Sequence, residues 1–516
     1  MRIVKIASIG AILSIGLGIF LFSPAHRRTG NVPGDLKDAP NSGSALEQIG
    51  YCGNSDIAIP EPGKAAARIV PAPDNRSKAA LKTKEWTVMY YSTTKDKLRY
   101  SLVWQLLEMK KIGSTDRVNV VVEAAVPVKS ADGGISTPTV RMALGKAAPA
   151  AEIDKYIKLV LSSSQGPIDA ALLKPFAADI VKSENSVDTG DWRRVAAFGR
   201  WAKAEYPAKR YAFVIYGHGN GFFDAKKSVG KSATPGKGTL LDTDTGNYVT
   251  TPELSQLMAG IGKVDILVMQ SCIMQMAEVA YQIKDYADVI VGSSELMWSV
   301  GYDMGGMVKT LNANPGIFSR DLGASLADGY VQRVRDYKLP GGHASVLLTA
   351  KFPAFAEKLN AWVDAVTALN DKDIFLPGMH DAARFDIFAI TVVSTQTLAA
   401  SRLSLSGDLY DFISIVNESL PQDKPESLPA RQRGTELMDF IAHELVYIYA
   451  YAGKSNTGFN FSRAHGLSIH IPPEILIGGN IEGFNALCET NYWDLYFAKE
   501  TKWGAFLSWI YGRKPR

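Results

Sequence analysis

Val264-Asp265-Ile266-Leu267-Val268-Met269 runs into Gln270-Ser271-Cys272 and then into Met274-Gln275-Met276-Ala277-Glu278-Val279-Ala280-Tyr281-Gln282-Ile283. A short apolar run closed by a polar turn is the pattern of a strand buried on both faces of a parallel sheet. Behind the turn, Met276, Val279, Ala280 and Ile283 recur at the spacing of one helical face. Strand, sharp turn and helix are therefore expected between Lys263 and Glu295. The Cys272 thiol falls at the strand's carboxyl end, beside a helix start that would favour thiolate. Open α/β sheets bind their ligands at that edge. One strand earlier, Tyr211-Ala212-Phe213-Val214-Ile215-Tyr216 leads into Gly217-His218-Gly219-Asn220-Gly221, which brings an imidazole to the same edge.

A lone cysteine most often serves as a small buried hydrophobe, and a histidine among glycines often only shapes a turn. Convergence separates this pair from those roles: both residues end strands of one sheet, and the glycines around His218 leave room for a substrate backbone. Further upstream, Trp86 to Ser92 reads as a buried strand, Leu98 to Ile112 as a helix and Val118 to Ala124 as a second strand. That βαβ opening implies a mostly parallel sheet flanked by helices. Trp192 to Ala204 has an amphipathic helical pattern and leads into the His218 strand, and Val289 to Gly292 supplies another strand. From Pro315 onward, helices are expected at Phe318 to Tyr337, Phe355 to Leu369 and Glu436 to Tyr451, with strands at Ser345 to Thr349 and Leu467 to Ile471. The chain therefore divides into an α/β domain at 85–310 and an α+β supporting subdomain at 311–516.

Ahead of these, Met1-Arg2 and Lys5 precede an apolar stretch from Ile6 to Phe22 that closes at Ser23-Pro24-Ala25, the three parts of an export signal. The stretch is long for a signal and short for a membrane span, so residues 1–25 read as a signal peptide or a retained N-terminal anchor. Either places the body of the chain outside the cytoplasm, whether secreted, periplasmic or anchored to a membrane. Residues 26–84, rich in Gly, Pro, Ala and Ser, read as a linker or pro-like segment.

A net charge of +4 over 516 residues, with no basic block interleaved with aromatics, gives nucleic-acid binding no support. The three cysteines are Cys52, Cys272 and Cys488. If two pair in an oxidising compartment, Cys52 with Cys488 is the expected pair and Cys272 is left over. A zinc-protease helix would need a second histidine four residues after His443, and that position is Tyr447. No metal is expected. Calcium has only Asp242-Thr243-Asp244 with Asn247 to hold it, and their spacing is not that of an EF-hand. His343, His380, His465 and His470 read as structural.

Ile215-Tyr216-Gly217-His218-Gly219-Asn220-Gly221, Leu241-Asp242-Thr243-Asp244 with Thr250-Thr251-Pro252-Glu253-Leu254, Ser271-Cys272-Ile273-Met274 with Glu278-Val279-Ala280-Tyr281, and Val291-Gly292-Ser293-Ser294-Glu295 follow one another in order. With Trp86-Thr87-Val88-Met89-Tyr90-Tyr91 and Gly466-Leu467-Ser468-Ile469, the series resembles the clostripain family of cysteine peptidases from about Glu85 onward. The resemblance implies a caspase-like fold for 85–310 and the hydrolysis of protein or peptide substrates. Cys272 would be the nucleophile and His218 its base, a dyad needing no third carboxylate because thiolate is itself a strong nucleophile. Amides near Gly219 and Cys272 would form the oxyanion hole, and Gln270, Ser294 and Glu295 would line the substrate pocket. Clostripain-like enzymes cleave after Arg or Lys by means of carboxylates, one of them two residues before the cysteine, where this chain has Gln270. Relaxed selectivity follows, with Glu295, or Asp303 beyond it, as the residual anion. The 223–246 loop, carrying Lys226, Lys227, Lys231 and Lys237, reads as exposed and as a site of nicking. Gln270, and Ala124-Ala125 where an Asp commonly follows the second strand, also admit an inactive, peptidase-like binding protein of the cell envelope.

Overall fold

The structure, a computed structural model, describes residues 82–129, 133–162, 166–185, 187–223, 238–385, 391–394, 397–402, 406–455, 458–471 and 492–510. The expected leader, the linker as far as residue 81, Cys52, Cys488 and the four loop lysines lie outside the described residues.

Nine strands form one sheet: β1 (Lys84–Ser92), β2 (Val118–Ala125), β3 (Pro138–Ala143), β4 (Ile180–Asn185), β5 (Ala208–Tyr216), β6 (Val264–Gln270), β7 (Ala287–Gly292), β8 (Gly341–Leu348) and β9 (Val446–Gly453). Their order is β9-β8-β7-β6-β5-β1-β2-β3-β4. The run β2-β1-β5-β6-β7 is parallel, and the strands on both flanks are antiparallel.

Alternation along the central strands explains why they are apolar throughout. Met89, Tyr91, Phe213, Ile215, Leu267 and Met269 point to one face, where they pack with α2 (Trp192–Glu205), α3 (Thr251–Ile261) and α7 (Phe352–Thr367). Val88, Tyr90, Ala212, Val214, Ile266 and Val268 point to the other, against α1 (Arg99–Ile112), α5 (Met304–Ala313) and α6 (Ser319–Asp336). The Thr250-Thr251-Pro252-Glu253 motif has a local mechanical role. Thr250 accepts from the Glu253 amide, the Glu253 carboxylate accepts from the Thr250 amide, and the proline sits in the first turn of α3.

The structure corrects two expectations. The helix expected at Glu436 to Tyr451 is a helix at Leu428–Phe440, a π-helical turn at Ile441–Leu445 and then strand β9. Val446-Tyr447-Ile448-Tyr449 alternates strand-forming residues, and pairing with β8 overrides helical propensity there. Beyond residue 310, β8 and β9 extend the same sheet that carries β1 and β2. The α4 helix starts only at Ala277 and ends at Gln282, well short of reaching back to Cys272. Among the described residues, no helix is long and apolar enough to cross a membrane.

Candidate active site

Tyr216 of β5 and Gln270 of β6 are register partners. His218 and Cys272 therefore each leave the sheet two residues beyond one matched pair, on strands about 4.8 Å apart. Glycine permits the loops to close on each other: a Cβ at Gly219 would lie 2.5 Å from the Cys272 carbonyl oxygen. From the other side, the His218 carbonyl accepts from the Leu240 amide at 3.2 Å and the Thr239 hydroxyl at 3.4 Å. Leu240 and Asp242 are fully buried, whereas Thr243, Asp244 and Thr245 between them and Gly246 are exposed.

Directly after the thiol, Ile273 has φ of 60°. A β-branched side chain in that region costs on the order of 1–3 kcal/mol. The conformation is held by its amide, which donates to the Glu295 carbonyl at 3.2 Å, and by full burial of its side chain. With α4 starting five residues later, no helix terminus favours thiolate. The Cys272 thiol is instead half-buried and pushed up to about 11 by burial. The Met297 amide, donating to Sγ at 3.3 Å, opposes that rise, and the nearby Glu295 carboxylate adds to it.

The sequence reading missed Asp96. It lies in the loop after β1, four residues past Ser92, which pairs with Tyr216. Its Oδ2 contacts His218 Nε2. Burial by itself would raise the Asp96 carboxyl, but the hydrogen bond to His218, the charge of that ring and the Leu98 amide at 3.0 Å hold it below its ordinary value. The imidazole thus has a carboxylate partner in addition to the dyad expected. Reading four residues beyond the Trp86 to Ser92 strand, at the same edge, would have exposed it.

Gln270 is buried, and its amide is committed to neighbours rather than presented to a pocket. Nε2 donates to Gln105 Oε1 at 2.9 Å, the Tyr90 hydroxyl donates to the same oxygen at 2.9 Å, and Gln270 Oε1 accepts from the Tyr302 amide at 2.8 Å. Ser294 is fully buried, with its hydroxyl donating to the Gln275 carbonyl at 3.1 Å. Glu295 is 3% exposed, and its Oε1 accepts from the Leu296 amide at 2.8 Å. Asp303 caps α5 through the Gly306 amide and pairs at 2.8 Å with Arg333, which also holds Glu108. Ala124 and Ala125 close β2 as buried residues.

The oxygens considered for calcium are engaged by protein groups. Asp242 accepts from Lys95 Nζ at 2.8 Å and from the Thr189 amide at 2.7 Å, Lys95 also reaches Asp244 at 3.1 Å, and Asn247 donates to Asp188. Among the described residues, no group of three or more His, Cys, Asp or Glu is placed to hold a metal. His343 is buried among Phe385, Tyr449 and Phe461 and pushed down to about 3 by burial. His380 lies beside Asp381, and His465 stacks on Tyr410.

The far half of the chain clamps the segment behind the thiol. Gln275 O accepts from the Ser468 amide at 3.2 Å and its hydroxyl at 3.1 Å. The Glu278 carboxylate accepts from the His470 amide at 2.9 Å, and Gln282 Oε1 from the Tyr496 amide at 2.8 Å.

This sheet, with a thiol and an imidazole leaving adjacent strands at one edge, defines a caspase-like α/β protein. The sequence profile of the clostripain family matches residues 174–509, and the chain belongs to that family. Clostripain of Hathewaya histolytica is 24% identical over 249 residues, which cover 46% of this chain and 44% of that protein, so the chain spans less than half of that relative's length. A secreted C11 cysteine protease from Bacteroides thetaiotaomicron, solved with an irreversible peptide inhibitor, superposes with a TM-score of 0.53 at 16% identity, covering 83% of this chain and 99% of that one. A second structure from the same organism, called iotapain, gives 0.53 at 14% identity, with 81% and 99% covered. At these identities the likeness concerns the fold alone.

Proposed function

We propose that this chain is an exported cysteine endopeptidase in which Cys272 and His218 hydrolyse peptide bonds. His218 takes the thiol proton as Sγ attacks the substrate carbonyl, and amides at Gly219 and Cys272 receive the developing oxyanion. The same proton passes to the leaving amine as the C–N bond breaks. Water then attacks the thioester, giving up a proton through His218, and releases the acid and the free thiol. The chemistry needs no cofactor. The observation that carries the reading is the matched register of Tyr216 with Gln270, which sends both groups out of the sheet side by side.

Preference for Arg or Lys, with relaxed stringency, belongs to the same proposal. A neutral amide at 270 leaves no charge two residues before the thiol, and charge-assisted hydrogen bonds are about twice as strong as neutral ones. The loss is on the order of 1–2 kcal/mol, roughly tenfold in selectivity. Glu295 is the anion left on the neighbouring strand end. Family membership and the leader-like residues 1–25 support an extracytoplasmic location, as a secreted, periplasmic or anchored protein. A second reading, a binding protein without turnover, draws on the thiol's upward shift to about 11.

An acyloxymethyl-ketone probe bearing Arg, Lys, Gln or Ala in the position before the ketone tests both parts. Labelling and peptide turnover are expected in the wild type, strongest with Arg and Lys, and absent from Cys272→Ala. Turnover should collapse in His218→Ala. Labelling that survives Cys272→Ala, or a wild type that never turns over, would reject the assignment. A preference for uncharged residues unaffected by Glu295→Gln would reject the specificity.

A further inference from the structure

We infer that Asp96 is a positioning residue that orients His218, and that the buried Lys95–Asp242 pair fixes it there; the inference rests on the peptidase reading of His218 and Cys272. Three neighbouring parallel strands, β1, β5 and β6, end at one height through the pairs Ser92 with Tyr216 and Tyr216 with Gln270. Asp96, His218 and Cys272 leave that edge in the same order, so the imidazole stands between a carboxylate and a thiol. The carboxylate meets Nε2. A ring nitrogen facing an ionised acceptor carries the proton, so Asp96 fixes both the tautomer and the orientation of the ring. The same negative charge stabilises the imidazolium that forms when the thiol proton is taken.

Asp96 is itself held from two sides. Its side chain accepts from the Leu98 amide. The adjacent cation, Lys95, points away into the protein, with its side chain 3% exposed and bonded to Asp242 at 2.8 Å. Asp242 follows Thr239 and Leu240, which hold the His218 carbonyl. One buried ion pair therefore ties the loop bearing Asp96 to the segment that supports the backbone of His218. A buried pair is weak evidence for stability but a well-attested means of fixing geometry.

The test uses the full chain as wild type, Asp96→Asn, Asp96→Glu and Lys95→Met. Nitrogen-15 NMR of the His218 ring reads its tautomer whether or not the protein turns over. The wild type should show Nε2 protonated. Asp96→Asn should mix the tautomers, with Asp96→Glu restoring the Nε2-protonated form in part. In turnover, Asp96→Asn should reduce kcat by roughly 10²- to 10⁴-fold and leave KM within about twofold. Lys95→Met should cause a smaller loss of the same kind. An unchanged tautomer in Asp96→Asn overturns the inference, as does a loss confined to KM for Arg and Lys substrates, which would make Asp96 a contact for substrate charge. A wild type without turnover but with the expected ring signals rejects the peptidase reading and leaves the orientation established.

Discussion

The resting thiol should be slow to alkylate, and the structure sets the size of the effect. The Cys272 thiol is pushed from an ordinary 9.0 to about 11, first by burial. At pH 7 the thiolate fraction is then about 10⁻⁴, against about 10⁻² for an unshifted thiol. Intrinsic nucleophilicity rises with pKa at a Brønsted slope of about 0.4–0.5, which returns roughly six- to tenfold over two units. Iodoacetamide should therefore react with Cys272 about tenfold more slowly than with an ordinary thiol at pH 7. Its rate should climb about tenfold per pH unit through pH 9 with no plateau. Glu295→Gln removes the carboxylate that adds to the shift, so that variant should react faster at every pH in this range. Mass spectrometry of the Cys272 peptide after timed quenching supplies the rates. A plateau reached below pH 8 would refute the reasoning, because it would mean that thiolate and imidazolium are already paired before substrate arrives.

Gly219→Ala places a methyl 2.5 Å from the Cys272 carbonyl oxygen, so kcat should drop at least about tenfold as the two loops separate, which steady-state kinetics will show. Gln270→Ala leaves the Tyr302 amide and Gln105 Oε1 each short of a partner, and urea unfolding should register a loss of about 2–4 kcal/mol. Glu278 is fully buried and raised from 4.5 to about 8 by burial. The folded protein holds that proton more tightly than the unfolded chain, so this group's stabilisation is complete below about pH 4.5 and lost as pH rises through about 8. Glu278→Gln should flatten the decline in unfolding midpoint across that window, and an unchanged slope would contradict it.

What could be read in the sequence was whatever depends on neighbours along the chain. The apolar run at Val264 to Met269 and the one at Tyr211 to Tyr216 each announce a buried strand, and the polar turn after each announces an edge. Placing Cys272 near His218 required only that the two strands be adjacent, which they are. Other features depend on distant partners. Gln270 looked like a pocket residue because its position suggested one, yet its partner Gln105 lies 165 positions away and cannot be inferred from local pattern. The β3 and β4 strands escaped notice because β4, Ile180-Val181-Lys182-Ser183-Glu184-Asn185, is an exposed edge with no alternation to mark it. The thiol's environment was misjudged for a different reason. The apolar spacing of Met276, Val279 and Ile283 is helical, but it does not reveal that the chain spends Cys272 to Met276 in a strained turn first.

The clamp behind the thiol has a consequence in time as well as in space. His470 hydrogen-bonds Glu278 across 192 positions, and Tyr496 reaches Gln282 across 214. Synthesis proceeds from the N-terminus at about 5–20 residues per second, so Cys272 leaves the ribosome on the order of ten seconds or more before its supports exist. Throughout that interval, the turn carrying Ile273 has nothing from the C-terminal half to brace the segment that follows it. A nascent chain therefore carries Cys272 before the hydrogen bonds that brace the segment behind it can form.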